Sequence, residues 1–137
     1  MSRSGYYDCC DGWDLIRWRG AVKSAIRGKR GQAFLRELRD ALDAMPEKRL
    51  IANALRSESG EVCAIGAVGV ARGVDMATID PEDREQVSEA FGIAETMAAE
   101  IVYENDEAYW RGPETPEHRW QRMRDWVEEH LTTPPRP

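Results

Sequence analysis

The chain lacks the features that would commit it to a membrane, an oxidising compartment or a metal. No apolar run approaches the roughly 20 residues that a membrane span needs, and Met1-Ser2-Arg3-Ser4-Gly5-Tyr6-Tyr7-Asp8-Cys9-Cys10 has no apolar signal core. The three cysteines are odd in number and two are adjacent, which makes a poor disulfide framework and fits a reduced, cytoplasmic setting. The two histidines, His118 and His130, are too far apart for a His-Glu-x-x-His site. Gly28-Lys29-Arg30-Gly31 lacks both the preceding strand and the longer glycine spacing of a P-loop. These absences predict a membrane-free cytoplasmic protein with no cofactor, and give nucleotide hydrolysis no support.

The most informative absence is local. Between Arg17 and Arg30 there is no carboxylate, while Arg17, Arg19, Lys23, Arg27, Lys29 and Arg30 supply six positive charges. The formal charge of the whole chain is −6, so a +6 segment leaves −12 on the rest. A positive surface held against the average charge attracts phosphates, carboxylates or an acidic protein face. The opposite extreme is residues 80–107, where ten acids and the single base Arg84 give −9.

At 137 residues, with 42% hydrophobic and 32% charged residues, the chain has the length and balance of one globular domain. Helical periodicity dominates and no segment reads as a strand, which predicts an all-α bundle of about five to seven helices. Residues 1–10 read as a flexible start, 11–131 as the helical domain and 132–137 as a disordered tail. Asp11 is placed to cap a first helix running to about Arg27, with Leu15, Trp18, Val22 and Ile26 facing the core. A turn over 27–31 precedes a second helix from about Gln32 to Met45. There Phe34, Leu35, Leu38, Ala41, Leu42 and Met45 are buried, and Arg36–Asp40 and Arg39–Asp43 form exposed pairs. A shorter piece spans Leu50 to Leu55. The apolar run 62–71 reads as a helix whose small residues suit close helix packing and which ends at Gly73. Asp80-Pro81 reads as the start of a helix reaching Phe91, with the next helix from Ile93 to about Glu104. Thr115-Pro116-Glu117 starts the last helix, with Trp120, Met123, Val127 and Leu131 as its core stripe.

The first helix carries the candidate site. At 100° per residue, Trp13, Arg17, Gly20, Ser24 and Arg27 share one stripe. Arg17, Ser24, Arg27, Lys29 and Arg30 would hold phosphate oxygens, helped by free N–H groups at the start of the second helix, and Trp13 would stack on a base. The competing reading is a solvated helix face and a turn. Gly20, costly inside a helix, admits close approach by a ligand or another helix. Cys63 near a helix start reads either as a buried packing residue or as a nucleophile, with Asp106 as a conceivable partner. The 80–107 segment reads as a solvated acidic face, or as an imitation of nucleic acid, or as the complement of the basic block on a second subunit. Tyr6 to Asp11 offers a soft-metal reading without enough ligands.

Trp13…Arg17-Trp18-Arg19-Gly20, Arg27-Gly28-Lys29-Arg30-Gly31-Gln32-Ala33-Phe34-Leu35, Gly60-Glu61-Val62-Cys63-Ala64-Ile65-Gly66-Ala67, Asn105-Asp106-Glu107, Glu114-Thr115-Pro116-Glu117 and Arg119-Trp120 together resemble a group of small proteins encoded by phages and prophages of proteobacteria. The resemblance runs from about Trp13 to Val127. It implies a genomic setting and no particular chemistry: small accessory phage proteins bind and disable host components, including defence nucleases and nucleotide signals. Three functional classes follow. The first is a non-enzymatic accessory protein binding an anionic small molecule or nucleotide at the basic corner. The second is an inhibitor that presents the acidic segment to a host defence protein, and the third is an enzyme centred on Cys63. A homo-oligomer is expected from the pairing of opposite charges.

Overall fold

The structure, a computed structural model, describes residues 3, 4 and 12–132; the side chains of residues 12–15 lie outside the description. Asp11 and the tail beyond Thr132 also fall outside it. Among the described residues there are six α-helices, one 3₁₀ turn and no sheet. Helix α1 is Gly12–Arg27 and α2 is Lys29–Ala44. Helix α3 is Ala64–Arg72, α4 Arg84–Phe91, α5 Glu95–Asp106 and α6 Pro116–His130.

Helix α5 is the hub, packing against α1, α3, α4 and α6, while α2 packs against α1, α3 and α6. Its sequence explains the position: Met97, Ala98, Ala99, Ile101 and Val102 are all buried, so the helix is apolar on most of its circumference. The amphipathic helices turn one stripe inward. Phe34, Leu35, Leu38, Ala41 and Leu42 of α2 and Trp120, Met123, Trp126 and Val127 of α6 join a single core. Val22 and Ile26 of α1 are buried and Trp18 is partly so.

Several expectations shift in register. Helix α2 begins at Lys29, three residues before Gln32, because Gly28 alone breaks the chain with an extended conformation (φ −68°, ψ 164°). Gly31 is therefore helical, and its glycine is needed: a Cβ there would lie 1.9 Å from the Ala25 carbonyl oxygen of α1. Gln32 locks this corner. Its amide nitrogen donates to the Ile26 and His130 carbonyls at 2.8 and 3.0 Å, and its oxygen accepts from the Thr132 N–H at 2.9 Å.

Leu50 and Leu55 are buried, but the segment between them is irregular, with one isolated β-bridge between Arg56 and Val62. The small residues of α3 meet this loop as well as other helices. A Cβ on Gly66 would lie 1.9 Å from the Leu55 carbonyl oxygen. Asp80 and Pro81 form a turn, and α4 starts at Arg84. The cap is Asp83, which accepts from the Glu85 and Gln86 N–H groups, because Asp80 instead holds the N–H of Glu82 at 3.0 Å. Gly73 and Gly92 end α3 and α4 in the left-handed conformation, at φ 73° and 70°. Helix α5 starts at Glu95, two residues after Ile93, and runs through Asp106. On α2 the expected ion pairs are replaced: Arg39 meets Asp40 at 3.2 Å, Asp43 meets Arg124 of α6 at 2.8 Å, and Glu37 takes Arg72 of α3 at 2.6 Å. No helix among the described residues is long and apolar enough to cross a membrane.

Candidate functional site

The corner between α1 and α2 carries Arg27, Lys29 and Arg30, with Ser24 one turn back on α1 and Arg17 roughly 15 Å from Arg27 along the helix axis. Arg17, Ser24, Arg27, Lys29 and Arg30 are all exposed, as is Lys23. Arg17, Lys23, Arg27, Lys29 and Arg30 have no ion pair among the described residues. Arg19 differs, donating to Glu100 at 3.0 Å across to α5. The side chain of Trp13, expected to stack on a base, lies outside the described residues. Gly20 faces open space, with no described atom within 4 Å of a Cβ built there, so nothing among the described residues requires the glycine.

The backbone adds to the corner's charge. Helix α2 has Gly28 at its N-cap, no side-chain cap and no acid in its first turn. Its first internal bond, from the Gln32 N–H to the Gly28 carbonyl, is 2.9 Å long, so the N–H groups ahead of it are turned toward the helix end. Positive partial charge from the helix dipole thus coincides with Arg27, Lys29 and Arg30, and among the described residues no carboxylate pairs with these three cations.

The acidic segment is divided by the fold. Glu100 is buried against Arg19, Asp106 is buried against Arg3, and Glu104 lies 3.9 Å from Arg122. Asp80, Glu82, Glu85 and Glu89 remain on the surface, and exposed Glu95 faces Arg84 at 3.6 Å. Burial, followed by the charge of Glu100, pushes the Glu104 carboxyl above its usual range.

Cys63 is the N-cap of α3, its sulfur accepting from the Gly66 N–H at 3.4 Å, and it is 1% exposed. Neither histidine is near it by any hydrogen bond or ring contact described: His118 bonds Glu114 at 2.6 Å and His130 bonds the Trp126 carbonyl at 2.7 Å. Among the described residues no group of three His, Cys, Asp or Glu side chains can hold a metal.

Asp106, named in sequence as a conceivable partner of Cys63, belongs to the cluster beside it, but the arginine that joins the two was not visible in sequence. Arg3 and Ser4, from the stretch read as a flexible start, are 3% and 0% exposed. The Arg3 guanidinium forks onto Asp106, Nε to Oδ2 at 2.6 Å and Nη2 to Oδ1 at 2.7 Å, and Nη1 lies 3.9 Å from the Cys63 sulfur. Burial disfavours the Arg3 charge more than any single contact favours it, but the hydrogen bonds and charge of Asp106 together with the Cys63 sulfur outweigh that and hold the group protonated. Asn53, at φ +68°, donates its N–H to Asp106 at 3.2 Å. Asparagine at this position is consistent with its backbone, since it is one of the few side chains that tolerates this region.

No protein-family model matches the chain, no curated protein matches it, and no solved structure matches it.

Proposed function

We propose that the protein is a non-enzymatic accessory protein, of the kind carried by phages and prophages, that binds a phosphate-bearing ligand at the α1–α2 corner. One observation carries the reading: five exposed cations, Arg17, Lys23 and Arg27 along α1 and Lys29 and Arg30 at the uncapped start of α2, have no carboxylate partner among the described residues. Arginine forks and helix N–H groups are complementary to phosphate oxygens, and α1 supplies a rigid row on which Arg17, Ser24 and Arg27 follow one another. A nucleotide or nucleotide-derived signal of a host defence system fits this chemistry, with Trp13 as the expected stacking face. The inhibitor reading keeps the four exposed acids of the 80–89 stretch as its surface, a smaller patch than the sequence count of residues 80–107 suggests. The Cys63 enzyme reading gains no base from the two histidines.

The test is a melting-temperature scan of the wild-type chain against pyrophosphate, ATP, a short oligonucleotide and polyphosphate at moderate salt. At least one should raise the midpoint, and the rise should vanish in an Arg27→Ala/Arg30→Ala variant that keeps its helical circular dichroism. A wild-type protein indifferent to all four overturns the reading.

A further inference from the structure

The cluster at Asp106 shares no residue with the basic corner. Its carboxylate is positioned by groups other than Arg3. Oδ1 accepts from the Asn53 N–H at 3.2 Å and from Asn105 Nδ2 at 2.8 Å. Asn105 is itself fixed, accepting from the Ala64 N–H at 3.1 Å and donating to the Ile51 carbonyl at 2.9 Å. A carboxylate held in one orientation, with the fork of a guanidinium on both oxygens, is a preorganised arginine acceptor. The residue after the arginine is held too, Ser4 donating its hydroxyl to Glu107 and accepting from Arg84 Nη1 at 3.2 Å through its carbonyl.

Burying a charged side chain has a large desolvation cost, which only a closely matched partner offsets. An ammonium would not satisfy this geometry, because it presents no planar pair of parallel N–H groups. We propose that Asp106, with Cys63 at its side, is the acceptor of a guanidinium-recognition site: Arg3 fills it in cis, and an arginine side chain or small guanidinium compound from outside the chain competes for the same slot. Because Arg3 belongs to the same chain, outside ligands must bind more tightly than it does to displace it, and weaker ones bind only when it is removed. A second consequence is that whatever fills the slot shields the Cys63 sulfur.

The experiment uses the full chain with Cys9→Ser and Cys10→Ser, so that iodoacetamide labelling followed by mass spectrometry reports Cys63 alone. The probe is N-acetyl-arginine amide and the control N-acetyl-lysine amide. Arg3→Ala should raise the labelling rate by about tenfold or more, as removal of a protecting contact does. The arginine amide should then slow labelling saturably and raise the melting temperature, the lysine amide should do neither, and Asp106→Asn should abolish both responses. With Arg3 present, low millimolar arginine amide should change neither readout. Equal responses to the two amides, or an Arg3→Ala protein with unchanged labelling, would overturn it. Should Arg3→Ala fail to fold, Arg3→Lys serves in its place: recovery of helical signal or of Cys63 protection by the arginine amide supports the site, and its failure refutes it.

Discussion

Gly20 and Gly31 are both helical glycines, and their surroundings predict opposite responses to the same substitution. Gly31→Ala drives a methyl group against the Ala25 carbonyl of the preceding helix and should cost roughly 1–3 kcal/mol, as overpacking does. Gly20→Ala meets nothing and should stabilise by about 0.5–1 kcal/mol through helix propensity. Urea unfolding of the two variants measures both, and a destabilised Gly20→Ala would mean that another molecule or subunit already occupies that face. The two glycines look alike in sequence, because contact between consecutive helices depends on a crossing that no local pattern states. The stripe of Arg17, Ser24 and Arg27 is legible for the opposite reason: residues three and four apart share a helix face wherever the helix goes. Arg3 is the extreme case, since its partner is 103 positions away and its own neighbours read only as a polar loop.

At the level of elements, α5 and α6 are joined through the end of α5 and by a carboxylate. Arg119 and Arg122 of α6 donate to the Asn105 carbonyl at 3.0 and 3.2 Å, and both arginines meet the buried Glu114. Burial tends to raise the Glu114 carboxyl, but hydrogen bonds from Arg122 and His118 prevail and hold it below the usual range. Its stabilisation is therefore present above the unfolded carboxylate range and lost as the pH falls through the folded value. Glu104 has the reverse sign. With its folded value raised, its favourable contribution is present below the ordinary range and lost as the pH rises through that raised value. Glu104→Gln should thus raise the melting temperature at neutral pH and give no gain near about pH 4, whereas Glu114→Gln should lower it at neutral pH with a shrinking effect in acid. Thermal melts of both variants at the two pH values decide the matter. Caps made most element ends readable: Thr115 before Pro116 marks the start of α6, and Gly73 and Gly92 mark two helix ends. The misplaced start of α4 has a clear cause, since Asp80 and Asp83 are equally good caps by type and only the turn around Pro81 selects the second.

Across the whole molecule, charge and exposed apolar surface are unevenly placed. Helix α1 exposes Arg17, Lys23 and Arg27 together with Ile16, 64% exposed, α2 begins with exposed Lys29 and Arg30, and Asp80, Glu82, Glu85 and Glu89 form an exposed acidic group ahead of and within α4. Opposite patches on one small chain favour association between copies, so a dimer or larger oligomer that weakens with salt is the expected state. Sedimentation across a protein and salt titration checks it: a monomer at high concentration and low salt refutes the expectation, and a salt-insensitive dimer assigns the interface to apolar packing. The all-α architecture was legible because helical periodicity recurs along nearly the whole chain, whereas the hub position of α5 emerges only when the other helices cover it. The contact at Gly31 has a further consequence for recognition. Because α1 and α2 meet there backbone to backbone, and Gln32 ties the corner to α6, a ligand finds the main chain already fixed and must order only long side chains. Each immobilised arginine or lysine costs roughly 0.5–1.5 kcal/mol of conformational freedom. On the proposed reading a singly charged anion would engage too few of them to offset that loss, so the expected discrimination is by valence, with chains of phosphates gaining at every added group and isolated monoanions passing by.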